Sequence, residues 1–334
     1  MLKTVSTLIL FSLLILSTQA GPAAAEEINK NFHQTFDVKQ GDSLRLRHGD
    51  GNVRLIPWEK NVIDVSVRYR ADIDAVGIRL GRKEDFVVEF RQTGTTVYVT
   101  GKETSRGTIG FYNKKVYEHI YEIQAPDYIQ LDLHGDDGDV NISGWAANID
   151  CMIDDGDIAM QDIKGDKITI RGEDGDIEIE DLAGDLSIQL DDGDVTLMGC
   201  AVPRCRLEAD DGNIEISEAQ GSFDMAVDDG NIRMRKTAAT ELILRADDGD
   251  VDLDLLAVED FDADIRTDDG DVTIDLEPGF SLSFHTTADD VDYIRIDLDG
   301  IENYREDEHS KSGRLGDGEG RLKIRTADGD ITIR

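Results

Sequence analysis

The sequence is short of positive charge: 35 Lys and Arg stand against 72 Asp and Glu in 334 residues, a formal charge of −37. Phosphate backbones and anionic leaflets reward basic surfaces, so nucleic acid is excluded as a partner. Only 5 prolines accompany 32 glycines, and the Val, Ile and Leu residues recur at regular spacing, a pattern that solvated disordered tails lack. The six histidines (His33, His48, His119, His134, His285 and His309) are scattered, and no H-x-H, H-E-x-x-H or C-x-x-C occurs. Zinc and nucleophilic-triad chemistry therefore find no spacing to rest on, and no enzyme is expected. Beyond the first 25 residues no apolar stretch is long enough to span a bilayer.

Those first 25 residues read as a signal peptide. Lys3 supplies the positive end, Val5 to Leu16 the apolar run, and Ala23-Ala24-Ala25 the cleavage pattern before Glu26. The expected product is an exported protein, periplasmic or at the cell surface, with no membrane span. Its charge is unevenly placed: residues 26–130 hold 16 basic and 16 acidic residues with 12 of the 20 aromatics, whereas residues 131–334 hold 18 basic and 56 acidic. The acidity belongs entirely to the second region.

That region is a repeat. A unit Asp/Glu-Asp-Gly-Asp/Asn-Val/Ile occurs at Asp136 to Val140, Asp154 to Ile158, Glu173 to Ile177, Asp191 to Val195, Asp210 to Ile214, Asp228 to Ile232, Asp247 to Val251 and Asp268 to Val272. Successive glycines are 18, 19, 18, 19, 18, 19 and 21 residues apart. Asp289-Asp290-Val291-Asp292 is a degenerate copy, Ala327 to Ile331 closes the chain, and Gly49 to Val53 is an isolated earlier one. Between units the apolar residues alternate, as at Ile177, Ile179, Leu186, Ile188 and Leu190, which is the period of strands. One repeat cannot bury its own apolar side, so repeats must stack. The expectation is an all-β parallel solenoid, a β-helix of right-handed sense, with about eleven coils ~4.8 Å apart. Residues 26–130 also alternate, over Ser43 to Arg47, Gly51 to Ile56, Val62 to Arg70, Asp85 to Arg91, Thr95 to Gly101 and Tyr117 to Gln124. They lack the tight repeat and read as a β cap covering one open end.

The repeated unit has a structural reading and a functional one. Glycine supplies positive φ at a corner, and the neighbouring Asp or Asn accepts hydrogen bonds from turn backbone; Asn213 and Asn231 in place of Asp indicate that the side-chain oxygen matters more than charge. The functional reading is an acidic ridge that binds divalent cations. The eight units carry 22 carboxylates, and stacking aligns Asp137, Asp139, Asp155, Asp157, Asp174, Asp176, Asp192, Asp194, Asp248, Asp250, Asp269 and Asp271 as candidate Ca²⁺ ligands. Neither the helix-flanked calcium loop nor the Gly-Gly-x-Gly-x-Asp nonapeptide is matched. Cys200 and Cys205 bracket Ala-Val-Pro-Arg and are a candidate disulfide in an exported chain, while Cys151 alternates with Ile149 and Ile153 and should point inward. Trp58 and Trp145, each beside a turn, suit cap packing better than partner contact. The basic set Arg79, Arg82, Lys83, Lys102, Arg106, Lys114 and Lys115 could meet the acidic ridge of another copy, and Tyr304 to Gly320 reads as a loop.

The run Tyr121 to Pro126, then Ile129-Gln130-Leu131 and Gly138-Asp139-Val140, the repeated Gly-Asp-Ile units and the closing Leu322 to Ile331 resemble a bacterial β-strand-repeat family of unknown function whose members are named as candidate adhesins. The resemblance spans nearly the whole chain after residue 25. It implies a β-helical exported protein and brings no catalytic residues. The corners here are more acidic than that family's Ser/Asn-Gly-Asp. The expected role is a non-enzymatic adhesive or scaffolding surface with a cell-envelope protein or glycan as partner, and the alternatives are an envelope assembly or stress partner or, less favoured, a calcium-dependent polysaccharide-active enzyme.

Overall fold

The computed structural model describes residues 26–78, 86–103, 109–290 and 293–334; the expected signal peptide lies outside them. Every regular element among the described residues is a β-strand. Among these residues there is no helix long and apolar enough to cross a membrane.

The repeats stack as parallel strands in two ladders, one ending at each Asp-Gly corner and one beginning just after it. In the first, Gln130–Asp137 pairs with Ile149–Asp155, which pairs in turn with the later half of Ile158–Asp174; Leu131 lies beside Ile149 and Ile149 beside Ile168. In the second, Val140–Ser143 pairs with the first half of Ile158–Asp174, so that Val140, Ile158, Ile177 and Val195 line up. Each residue therefore sits on its equivalent one repeat away. The alternation seen in sequence becomes alternation in burial: Leu131, Leu133, Ile149, Cys151, Ile153, Ile168 and Ile170 are all buried, as are Val140, Ile142, Ile158 and Met160. Parallel registry keeps these apolar columns continuous, each side chain contributing roughly 1.5–3 kcal/mol of gross hydrophobic stabilisation.

A second corner, not evident from residue identity, falls six residues after the Asp-Gly glycine in the six successive repeats from Gly138 to Gly230. Gly144, Asp162, Asp181, Gly199, Glu218 and Lys236 all adopt φ between 48° and 67° there. Only two of the six are glycine, so composition does not mark the bend.

The order of strands departs from the order of sequence at both ends. Ser43–Asp50 lies between Thr96–Glu103 and Gln130–Asp137, parallel to both, and Asn52–Pro57 lies likewise between Ile109–Ala125 and Val140–Ser143. The isolated copy Gly49 to Val53 is thus a full member of the stack. At the other end Gly320–Asp328 is inserted between Asp262–Asp269 and Leu282–Asp290, and Ile331–Ile333 between Val272–Leu276 and Ile294–Ile296. The last repeat in sequence is therefore the penultimate layer in space. Outside it, Ser310–Leu315 runs antiparallel to Leu282–Asp290, and Ile301–Glu306 runs antiparallel to Ser310–Leu315. This corrects the reading of Tyr304 to Gly320 as a loop: its polar residues form most of a hairpin that covers the end of one ladder.

At the first end Phe86–Thr93 pairs antiparallel with Thr96–Glu103, and Val62–Ile78 pairs antiparallel with both Ile109–Ala125 and Glu26–Asp37. Glu26–Asp37 was not expected as a strand, because its apolar residues Ile28, Phe32 and Phe36 recur every four positions instead of every two.

Candidate functional site

Each Asp-Gly corner from Gly51 to Gly270 makes the same three contacts with the next layer. At Gly193 the glycine N–H donates to the Asp211 carbonyl (3.0 Å), the Val195 N–H donates to the Asn213 carbonyl (2.9 Å), and the Asn213 N–H donates back to Asp194 Oδ1 (2.8 Å). The third contact is a side chain replacing a strand acceptor where the chain turns. It recurs from Asn52 to Asp330: the side-chain oxygens of Asn52, Asp139, Asp157, Asp176, Asp194, Asn213, Asn231, Asp250 and Asp271 each accept the backbone N–H of the equivalent residue in the next layer, at 2.8–3.4 Å. The amides add rungs of their own, Asn213 Nδ2 to Asp194 Oδ1 and Asn231 Nδ2 to Asn213 Oδ1, both 3.0 Å. A carboxylate and an amide present the same oxygen, which is why both occur there.

The glycine column explains the invariant centre of the unit. Gly212 has φ +140°, and a Cβ built on it would stand 2.0 Å from the Gly193 carbonyl oxygen. No other residue fits between layers at that separation.

The twelve candidate calcium ligands divide in two. Asp139, Asp157, Asp176, Asp194, Asp250 and Asp271 each commit one oxygen to the ladder. Asp137, Asp155, Asp174, Asp192, Asp248 and Asp269 are exposed and stand in register, one per layer. Among the described residues no three His, Cys, Asp or Glu side chains gather closely enough to hold a metal ion. The ridge concentrates charge. Its mutual repulsion is visible at Asp247: desolvation first, then the carboxylates of Asp228, Asp268, Asp248 and Asp229, hold its carboxyl above the ordinary range.

The structure corrects the candidate disulfide. Cys151, Cys200 and Cys205 are all free and buried thiols. Residues 201–205 are built into a strand, Ala201 and Val202 beside Gln220 and Gly221 and Cys205 beside Phe223, so Ala-Val-Pro-Arg is not a tight turn. Cys200 Sγ donates instead to the Met198 carbonyl (3.5 Å). Burial pushes the thiols of Cys151 and Cys205 up to about 12, which leaves both unreactive near neutrality.

Trp145 is buried, with Nε1 donating to the Ile129 carbonyl (2.8 Å), and half-buried Trp58 donates to the Val62 carbonyl (2.7 Å) while Lys60 lies over its ring. Both serve packing. Of the basic set, Arg79, Arg82, Lys83 and Arg106 lie outside the described residues, as does the Lys114 side chain; Lys102 pairs with Glu89 (3.0 Å), and Lys115 lies over Tyr117.

A buried titratable cluster, unremarked in the sequence, lies between Ser43–Asp50, Val62–Ile78, Phe86–Thr93 and Ile109–Ala125. His48 is tilted against Tyr121 at 5.1 Å between ring centroids, and His119 is set edge-on to Phe86 (4.5 Å) and Tyr69 (5.1 Å). Gly135 makes room for His48, since a Cβ there would come within 2.2 Å of its ring. His48 is 6% exposed, and burial lowers its pKa to about 4 against opposing contributions from the Gly49 carbonyl, Asp136 and Asp50. A base depressed on folding favours the neutral form in the fold. Stability is therefore complete above the unfolded value of ~6.5 and falls as pH drops toward 4, by about 3 kcal/mol for a shift of this size. Urea unfolding from pH 7 to pH 5 should show about 2 kcal/mol of that loss, above the range in which carboxylates of ordinary pKa titrate; a flat profile between pH 6.5 and pH 5 would contradict it.

Comparison with known proteins now bears on this arrangement. A family model described as Toastrack DUF4097 matches residues 44–183 and again residues 184–334. The chain belongs to that family. The double match divides the stack near its middle and takes in both inserted end segments. No curated protein matches the chain. Among solved structures, it is similar to a candidate adhesin from Bacteroides fragilis (11% identity, 91% of this chain and 97% of that one, TM-score 0.35) and a candidate cell adhesion protein from Clostridium sporogenes (10%, 91% and 99%, 0.21). A candidate lipid-binding protein from Parabacteroides distasonis is also similar (11%, 91% and 96%, 0.29).

Proposed function

We propose that this Toastrack family member is an exported, non-enzymatic β-solenoid, wound in the commoner right-handed sense, that presents a rigid adhesive or scaffolding surface to a cell-envelope glycan or protein. One observation carries this reading: the acidic corners are chemically equivalent from layer to layer, each using the same oxygen for the same backbone contact. Catalysis needs a pair of groups made different by their surroundings. A repeated surface needs the opposite.

The ridge is a strip of diffuse negative charge that gathers divalent cations as counterions, with no ordered coordination shell. Calcium and magnesium at equal concentration should therefore raise the melting temperature equally. A calcium-specific increase would point to coordinated sites, because Ca²⁺ accepts irregular shells of six to eight oxygens that Mg²⁺ does not.

The functional test is retention on envelope material. The purified protein used as bait against a bacterial envelope fraction, with and without chelator, should recover the same glycan or protein component repeatedly. Recovery no greater than with an unrelated bait of equal net charge would remove the adhesive reading. Loss with chelator alone would assign the contact to the ridge.

A further inference from the structure

We infer that a second copy of this chain docks on the free edge of Glu26–Asp37, joining two molecules cap to cap through an antiparallel strand pair. Among the described residues, this 12-residue strand pairs on one side only, with Val62–Ile78. Its register there runs without a bulge, it has no proline, and its one lysine turns away from the edge to donate to the Phe86 carbonyl (2.7 Å). Long edges are normally blunted by just those devices, or by being short. The opposite end of the molecule obeys the rule: Ile294–Ile296 is three residues long, and Ile301–Glu306 has an irregular register. At 12 residues the Glu26–Asp37 edge is longer than the other one-sided strand at this end, Phe86–Thr93, which has eight.

Its residues are arranged for a twofold partner. Directly opposed residues of an antiparallel pair share a face, so two copies must meet in a register that opposes even-numbered with even-numbered residues. Ile28, Phe32 and Phe36 are half-buried on one face, with Phe32 edge-on to Phe86 at 5.7 Å. Centring the twofold on Phe32 sets Ile28 of one copy against Phe36 of the other and Phe32 against its own equivalent. The same register opposes Asn29 to Thr35, Lys30 to Gln34 and Asn31 to His33, and leaves the like-charged Glu27 and Asp37 at the solvated ends. The half-exposed apolar stripe then continues from one molecule into the next.

Charge selects the same geometry. The region 26–130 is neutral and the rest of the chain carries the whole net charge. Any approach through the acidic stack brings like charges together. Cap-to-cap docking keeps the two ridges apart.

Sedimentation of the purified protein at micromolar concentration should give twice the chain mass. The variant Asn29→Lys with Thr35→Lys places lysine against lysine on both sides of the twofold while leaving the inward face untouched; it should dimerise at least about tenfold more weakly with an unchanged melting temperature. If that double variant fails to fold, Asn31→Lys with His33→Lys makes the same comparison at the neighbouring opposed pair, again on the exposed face. A wild-type monomer across the range, or a dimer equally tight in the lysine variant, overturns the inference.

Discussion

Replacing Gly212 with alanine is expected to destabilise the protein by about 2–5 kcal/mol, read as a lowered urea midpoint with the fold lost first around the middle layers. The residue combines a φ of +140°, strained for any L side chain, with a carbonyl 2.0 Å from where the new Cβ would stand. The conformational part costs ~1–2 kcal/mol and forced separation of packed layers typically ~1–3. The two parts can be separated. Gly41 also has positive φ, +90°, but nothing lies within 4 Å of a Cβ built on it. Gly41→Ala should cost only the conformational part, about 1–2 kcal/mol. Equal losses at the two positions would mean that the close approach of layers is not what requires glycine.

The second large effect is expected at Asp194, where asparagine and alanine should behave differently. Asp194→Ala removes the acceptor for both the Asn213 N–H and its Nδ2, and at this exposed corner, where water can take the freed donor, the lost hydrogen bond costs ~0.5–1.5 kcal/mol. Asp194→Asn keeps an oxygen in place and lowers the charge of the ridge. It should be neutral or slightly stabilising at low salt, because like charges in adjacent layers repel and that repulsion is screened as salt rises. A ligand role for the carboxylate predicts the reverse order of concern: both substitutions would then abolish a calcium-dependent gain in melting temperature. The unfolding midpoints of the three proteins at two salt concentrations, with and without calcium, decide between them.

Much of this was legible in the residues themselves. The near-constant interval between Asp-Gly units set the layer length, alternation at Ile177, Ile179, Leu186, Ile188 and Leu190 set which side is buried, and the exchange of Asp for Asn at 213 and 231 pointed to an oxygen acceptor. What the pattern could not supply was which layer neighbours which. Repeats with interchangeable turns and similar apolar columns fit against one another in any order, so nothing local says that Gly320–Asp328 lies between Asp262–Asp269 and Leu282–Asp290. That choice is made by the tertiary connections, including the hairpin of Ile301–Glu306 and Ser310–Leu315, whose polar and charged residues resemble a loop until they are paired. The cysteines misled for a related reason: spacing along the chain suggested a pinned turn, whereas residues 201–205 run as strand. His48 and His119 gave no signal at all, because a histidine alone says nothing about the glycines that clear space for it.

Each corner acid or amide from Asn52 to Asp271 is a backbone acceptor for the next layer, and this contact sets the register of the corners. Amide hydrogen exchange at Asn213 measures that contact most directly. With the N–H held by Asp194 Oδ1 at 2.8 Å, the amide should be as protected as the strand amides around it, despite sitting at an exposed corner. Protection should persist in Asp194→Asn and be lost in Asp194→Ala at that position, with the flanking strand amides retained. Exchange of the wild-type Asn213 amide at the rate of an open turn would contradict the ladder and return the acidic corners to a purely solvated role.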